Sequence, residues 1–179
     1  MTRDTLTTSA GRLLRPWSAA DVDAVLLAFR APDMARQAGR PIEEPAAAAA
    51  WIEERRQAWS TGAAFSFAVT EAGTLVGSVT VSAVDRRHDT GWASYWTTTP
   101  ARGRGAAADA TRALARWAFS DLGLFRLELG HRVDNPASCR VARAAWFAVE
   151  GLERAKLRYD EQRFDVELHA RLATDPAPD

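Results

Sequence analysis

The sequence predicts a mixed α/β domain: a mostly antiparallel sheet of seven strands with about four helices, in the order β-α-α-β-β-β-α-β-α-β-β. Three observations carry this. Residues 64–84 hold two apolar stretches around the turn Glu71-Ala72-Gly73-Thr74, the signature of a hairpin. Helical and strand patterns do not alternate one for one, which disfavours a doubly wound parallel sheet. A glycine-rich loop, Pro100 to Gly105, joins a strand to a helix. The 179 residues read as one domain. Its expected core is 12–172, with flexible ends at 1–10 and 174–179.

Each element has its own signal. Residues 12–17 read as a short strand. Ser18 with Asp21 three residues on is an acidic form of the capping box. Behind it Val22, Val25, Leu26 and Phe29 share a helical face. The alanine run at 46–50 continues into Trp51, Ile52 and Trp59, giving a helix over about 45–61. In 64–70, Phe65, Phe67 and Val69 alternate with Ser66, Ala68 and Thr70. Strands follow at about 75–84 and 91–98. After the loop, a helix runs to about Leu122. Asp109, Arg112, Arg116 and Ser120 form its polar face and Ala107, Ala110, Leu114, Trp117 and Ala118 its apolar one. Gly123 ends it. Residues 125–131 form a strand. Asn135 is an N-cap with Pro136 at the first helical position, and that helix reaches about Trp146. The last strands cover about 149–159 and 162–172. In the last, Phe164, Val166, Leu168 and Ala170 alternate with Arg163, Asp165, Glu167 and His169.

Composition removes several function classes. Lys+Arg and Asp+Glu are equal at 23 each. Bulk electrostatic capture of nucleic acid or an anionic membrane needs a basic excess, so neither is an expected partner. Cys139 is the single cysteine, which excludes an intramolecular disulfide and a zinc cluster built on cysteines. No His/Asp/Glu spacing suggests a metal, so none is expected. No apolar run reaches the ~18 residues of a membrane span. The Thr-rich start lacks the apolar stretch of a signal peptide, and a cytoplasmic location is expected.

The loop Arg102-Gly103-Arg104-Gly105-Ala106-Ala107 carries the chemistry. Glycines let backbone N–H groups approach a ligand, the helix start adds positive potential, and two arginines add charged donors. A phosphate or pyrophosphate fits; so does a plain turn with solvent-facing arginines. A Walker loop would need Gly-Lys-Ser/Thr, which is absent. Gly103-x-Gly105-x-x-Ala108 satisfies the dinucleotide fingerprint, with Glu128 placed to hold a ribose. However, the strand ahead of it ends polar and broken by Pro100, and no further βαβ units follow.

Arg102-x-x-Gly105-x-Ala107 resembles the acetyl-CoA pyrophosphate loop of GCN5-related N-acetyltransferases (GNAT). Arg12 to Trp17, with Ala20-Asp21, is similar to that family's opening strand and helix. Ser94-Tyr95-Trp96 resembles the Gly-Tyr-Trp strand of the RimJ/RimL branch, which acetylates ribosomal-protein N-termini. Asn135-Pro136-Ala137-Ser138, Val141-Ala142, Phe147 and Glu150-Gly151 resemble a further segment of that branch. The matches run in order from about Arg12 to Leu172. One departure stands out: the family's glycine before Phe147 is Trp146 here, a change to the turn or a filler of space near the acceptor.

The resemblance implies an acetyl-CoA-dependent transfer to a primary amine, either a protein N-terminus or a small molecule. It is compatible with a homodimer. The sheet would splay near 95–98. Backbone of Trp96, Thr97 and Thr98 would meet the pantetheine and polarise the thioester carbonyl. Amides of Gly103, Arg104, Gly105, Ala106 and Ala107, with the side chains of Arg102 and Arg104, would hold the pyrophosphate. Asn135 would reach the pantetheine arm, cap its helix, or both. Other branches use a tyrosine where this chain has Ala142. Ser138 is then the candidate acid for the sulfur, beside its plainer role as a first-turn serine. Glu128 is the candidate base, beside a plainer pair with Arg126. His131 and Asp134 are weaker candidates, and His88 sits in a charged hairpin. Trp51, Trp59 and Trp96 are either core or walls of the acceptor pocket. Two other readings remain open: a CoA-binding module without transfer, and a nicotinamide-dependent oxidoreductase.

Overall fold

The computed structural model describes residues 5–176. Strand β1 (Leu6–Thr7) opens the chain and pairs with β2 (Leu13–Pro16). A 3-10 turn (Ala19–Asp21) leads into α1 (Val22–Phe29). A second 3-10 segment (Pro32–Gln37) precedes α2 (Pro45–Thr61). Next come β3 (Phe65–Glu71), β4 (Thr74–Asp85) and β5 (Thr90–Thr97). Helix α3 (Ala106–Ser120), β6 (Arg126–Arg132) and α4 (Pro136–Ala144) follow. Strands β7 (Ala148–Tyr159) and β8 (Gln162–Leu172) close the fold.

The sheet has eight strands in the order β1-β2-β3-β4-β5-β6-β8-β7, one more than expected. The addition is β1, which lies within the 1–10 expected as a flexible end. The turn at 8–11 is closed by the Thr8 N–H donating to the Arg12 carbonyl at 2.8 Å, and Thr8 and Arg12 are both buried. Residues 1–4 and 177–179 lie outside the described residues.

Every strand pair is antiparallel except β5–β6, which is parallel and only three residues long, Thr90–Trp92 against Arg126–Glu128. Beyond Trp92 and Glu128 the two strands part. β5 stays with β4 as far as Thr97, and β6 stays with β8 as far as Arg132. Each strand thus has one partner and one bare edge, and a V-shaped opening runs between them. It starts some three residues earlier than expected from the sequence.

The sheet is covered on both faces, so β3 is buried along almost its full length. On one side Phe65, Phe67 and Val69 pack against Leu114, Trp117 and Ala118 of α3. On the other, Trp17, Phe29, Trp51 and Trp96 cluster under α1 and α2. The start of α1 follows the sequence closely. The Ser18 N–H donates to Asp21 at 2.9 Å, and Arg15 holds the same carboxylate with two bonds of 2.6 and 2.8 Å. Burial pushes the Asp21 carboxyl up, but these bonds outweigh it and leave the group below its usual range.

Candidate functional site

The mouth of the V is where α3 begins. Gly105 caps the helix at φ 76°, and Gly103 before it has φ 72°. Both lie in the left-handed region, which a side chain disfavours by about 1–2 kcal/mol. A Cβ at either position would meet nothing within 4 Å, so the backbone turn, not crowding, requires glycine. The first helical bond inside α3 is Asp109 N–H to the Gly105 carbonyl, at 3.0 Å. The amides of Ala106, Ala107 and Ala108 precede it, have no carbonyl partner in helix geometry, and receive no side-chain cap. Three small side chains leave them approachable. The arrangement is a helix start set on a turn, a geometry suited to an anion.

The turn is held from behind. Arg12 is buried and donates to Asp109 at 3.0 Å and to the Arg104 carbonyl at 3.0 Å. It also pairs with Glu71 at 2.9 Å. Asp109, placed on the polar face in the sequence, is buried beneath the helix start. Burial pushes its carboxyl up, while bonds from Arg112, Thr8 and Ser9 pull it below the usual range and prevail.

A cleft of about 560 Å³ runs from this turn into the V. That lies within the ~300–1,000 Å³ typical of small-molecule sites. Trp96 and Thr97 of β5 line one wall, with Arg102, Gly103, Gly105, Ala106 and Ala107 at the mouth. Asn135 and Ser138 of α4 line the other. The Asn135 side chain accepts from the Ser138 N–H at 3.1 Å, so the residue is an N-cap that also faces the cleft. Two further cavities open from the same point and share Tyr95 and Gln37 with the first. One, about 430 Å³, lies under α2 and carries the hydroxyls of Ser66, Ser78, Thr80 and Ser94. Arg55 borders it, 3.3 Å over the Trp51 ring, with burial lowering its pKa to about 10. The other, about 460 Å³, reaches His131, Asp134 and Tyr159.

A family model for the acetyltransferase (GNAT) domain matches residues 12–147. The chain belongs to the GNAT acetyltransferase family. Among solved structures, Mycobacterium smegmatis RimJ in complex with CoA-disulfide superposes with a TM-score of 0.84 at 23% identity, over 94% of this chain and 86% of that one. RimL, a ribosomal L7/L12 α-N-protein acetyltransferase in complex with coenzyme A, gives 0.84 at 20%, over 94% and 97%. The microcin C7 self-immunity acetyltransferase MccE, in complex with acetyl-CoA and AMP, gives 0.81 at 17%, over 90% and 92%. A search of curated proteins returns no significant sequence match.

Within this GNAT fold, nine of the eleven residues expected to meet the cofactor line the cleft. Thr98 and Arg104 do not. The Thr98 N–H and hydroxyl turn back to the Val76 carbonyl, at 3.0 and 3.4 Å. The Arg104 guanidinium binds Glu71 at 2.5 Å, so its side chain braces the turn from outside. Arg102 does line the cleft and lies 3.6 Å from the Met34 sulfur.

Glu128 is the candidate base expected from the sequence. It sits on the last β5–β6 pair, below the opening, and lines none of the three cavities. Arg126 binds it at 2.8 Å and binds Glu150 as well. The plainer reading of a pair with Arg126 is the one the geometry shows. Asp134 lines the third cavity but pairs with Arg132. His88 lies exposed in its hairpin turn. Trp51 belongs to the core, and Trp59 packs on Phe65, Phe67 and Trp117; of the three only Trp96 reaches the cleft.

Trp146 keeps the family's turn without its glycine. It sits at φ 68°, its N–H donates to the Arg143 carbonyl at 2.9 Å, and the Phe147 N–H donates to Ala142 at 3.0 Å. That is the helix-ending pair of bonds that normally selects glycine. The ring lies against the guanidiniums of Arg171 and Arg112, 4.8 and 5.6 Å away, and lines none of the three cavities.

Sequence reasoning missed Tyr95 and a buried polar cluster. Tyr95 faces the cleft and bonds to the Ser138 carbonyl. The cluster joins His131 to Cys139, Glu167 and His169, four donor atoms within 4.8 Å of one another. His169 was placed among charged residues by alternation, yet it is fully buried. The signal was Glu167-x-His169 on one strand face, legible only once β8 is known to pair with β6.

Proposed function

We propose that this chain transfers an acetyl group from acetyl-CoA to a primary amine, on a peptide N-terminus or a small molecule, by direct attack in a ternary complex. The observation that supports this best is the uncapped start of α3. Its free amides stand at the mouth of a cleft that leads directly to the parting of β5 and β6. A pyrophosphate on the amides of Ala106, Ala107 and Ala108 would be aligned with the helix dipole and with Arg102. The pantetheine arm would run along the bare edge of β5. There the Trp96 and Thr97 backbone, freed from any strand on that side, has groups to offer it. The donors, the small side chains and the cleft's size all fit the group.

The reacting corner is bounded by Tyr95 and Ser138. The amine nitrogen attacks the thioester carbonyl carbon, the carbon–sulfur bond breaks, and the sulfur leaves as a thiolate that takes up a proton. Among the described residues the Ser138 hydroxyl has no protein partner, so it is available to donate toward the sulfur. The cleft's described lining contains no carboxylate and no histidine. Within this cleft the protein contributes alignment, and the acceptor's proton leaves by way of the adjoining cavities, which Glu54 and Asp134 line.

The test is release of free thiol from acetyl-CoA across a panel of peptides and small amines. Amine-dependent release supports the reading. Binding of acetyl-CoA without release from any amine would leave a CoA-binding module, and stabilisation by a nicotinamide dinucleotide alone would overturn the loop assignment.

A further inference from the structure

Beneath α4 lies a group of side chains that the acetyl transfer does not use. His131 comes from β6, Cys139 from α4, and Glu167 and His169 from β8. The β6–β8 register sets His131 directly opposite Glu167, and Leu129 opposite His169. Strand alternation then turns both histidines and the glutamate to one face. The first turn of α4 brings the Cys139 thiol down onto it.

The distances are close. His131 Nε2 is 3.0 Å from His169 Nε2. The same Glu167 oxygen is 2.9 Å from His169 Nε2, 3.3 Å from His131 Nε2 and 3.4 Å from Cys139 Sγ. The other ring nitrogens decide what these contacts are. His131 Nδ1 is 2.9 Å from the Arg132 carbonyl and His169 Nδ1 is 3.3 Å from the Phe147 carbonyl. A carbonyl only accepts, so each Nδ1 carries its hydrogen. Each neutral ring then turns an Nε2 lone pair toward the other ring and toward a carboxylate oxygen. Lone pairs converging at such distances in a buried place repel unless a cation lies among them. One proton can bridge one of these lines. The Cys139 thiol can donate to Glu167, but the other imidazole contacts are left without a donor.

A tetrahedral metal ion satisfies them all. Bonds of about 2.0–2.1 Å to nitrogen and 2.3 Å to sulfur put neighbouring ligands about 3.3–3.6 Å apart. Four of the six separations, at 2.9–3.4 Å, stand near that spacing, and all four donor atoms lie within 4.8 Å of one another. Imidazole, thiolate and carboxylate together suit zinc better than magnesium or calcium. A thiolate and a carboxylate cancel a double positive charge, leaving a neutral site suited to burial. Each histidine gives its second N–H to a backbone carbonyl, the outer bond that orients metal-bound imidazoles.

We propose that His131, Cys139, Glu167 and His169 form a tetrahedral site for a divalent transition ion of the zinc class. With four protein ligands it is closed, so its role is structural. It clamps α4 to β6 and β8. Because Cys139 adjoins Ser138, the clamp also fixes the wall of the cleft.

The test uses the full chain, stripped with a chelator and titrated with Co²⁺ and then Zn²⁺. One equivalent of Co²⁺ should give visible d–d bands of tetrahedral intensity and a near-ultraviolet thiolate charge-transfer band. Zn²⁺ should abolish both. Mass spectrometry of the zinc-loaded chain after gel filtration should find one ion per chain. At a hundredfold excess over its Kd, zinc should raise the Tm by about 5–10 °C. Cys139→Ala should lose the charge-transfer band. Glu167→Gln keeps the volume and guards against a variant that fails to fold; its zinc affinity should fall at least about a hundredfold. Absence of stoichiometric metal, or a Co²⁺ spectrum unchanged in Cys139→Ala, would overturn the site. So would a Tm indifferent to zinc and chelator, which would mean that a shared proton alone holds the cluster.

Discussion

The Tyr95 hydroxyl donates a 3.1 Å hydrogen bond to the main-chain carbonyl of Ser138, across the opening that separates β5 from α4. The bond ties the two walls of the cleft together. Burial raises the Tyr95 pKa, so the group remains a donor throughout the neutral range. Tyr95→Phe removes the bond and little volume. One hydrogen bond contributes about 0.5–1.5 kcal/mol, so KM for acetyl-CoA should rise about two- to tenfold. Hydrogen exchange at 135–140 should quicken in the same variant. Unchanged exchange there would show that α4 is held by other means.

Gly105 separates backbone from ligand effects. Gly105→Ala faces open space but must adopt φ 76°, so it should cost about 1 kcal/mol of stability and leave acetyl-CoA binding largely intact. Gly105→Glu adds a negative charge beside the free amides of α3. The Tm increase produced by acetyl-CoA should disappear in this variant alone. Equal behaviour of the two would move the pyrophosphate away from this turn.

Ser138 and Glu128 should differ sharply. Ser138→Ala should lower kcat by about 10²-fold or more if the hydroxyl protonates the departing sulfur, with no recovery at higher pH. Glu128→Gln should lower it less than about tenfold, because the carboxylate is engaged by Arg126 outside the cleft. A large loss in Glu128→Gln that is rescued by alkali would restore the base role expected from the sequence. The pH profile of kcat/KM for both variants decides between them.

Asp109 links acid sensitivity to the glycine turn before α3. Its folded pKa lies below the value of about 3.9 for an unfolded carboxyl. Its stabilising effect is therefore complete above the unfolded pKa and is lost as pH falls through the folded one. Asp109→Asn should cost about 2 kcal/mol at neutral pH, leaving buried Arg12 with less compensation. The variant and the parent should begin to converge as pH falls below the unfolded value of about 3.9 and should meet only below the folded pKa, a trend that urea titrations from neutral pH downward can read.

At Trp146 the backbone and the side chain oppose each other. Trp146→Ala keeps the left-handed strain and loses the contacts with Arg171 and Arg112. Trp146→Gly loses the same contacts and relieves the strain. The glycine variant should be the more stable of the two by about 1 kcal/mol. A more stable alanine variant would show that the turn changes when the ring is removed.

Most of the elements and the glycine-rich turn were legible in the sequence, because those rest on local physics. Helical periodicity and glycine conformation placed α2 at Pro45–Thr61, the turn at Gly103 and Gly105, and the capping of α4 by Asn135. Such signals are written within a few residues of one another. Tertiary structure decided everything that depends on which strands are neighbours. Glu128 looked available because alternation gives a face without saying where the sheet opens, and the opening begins just past it. Asp109 looked solvated until Arg12, 97 residues earlier in the chain, was brought beneath it. His131 and His169, 38 residues apart, meet only because β8 inserts between β6 and β7. Pairing of distant strands is set by the packing of the whole core, and a window along one chain does not contain it.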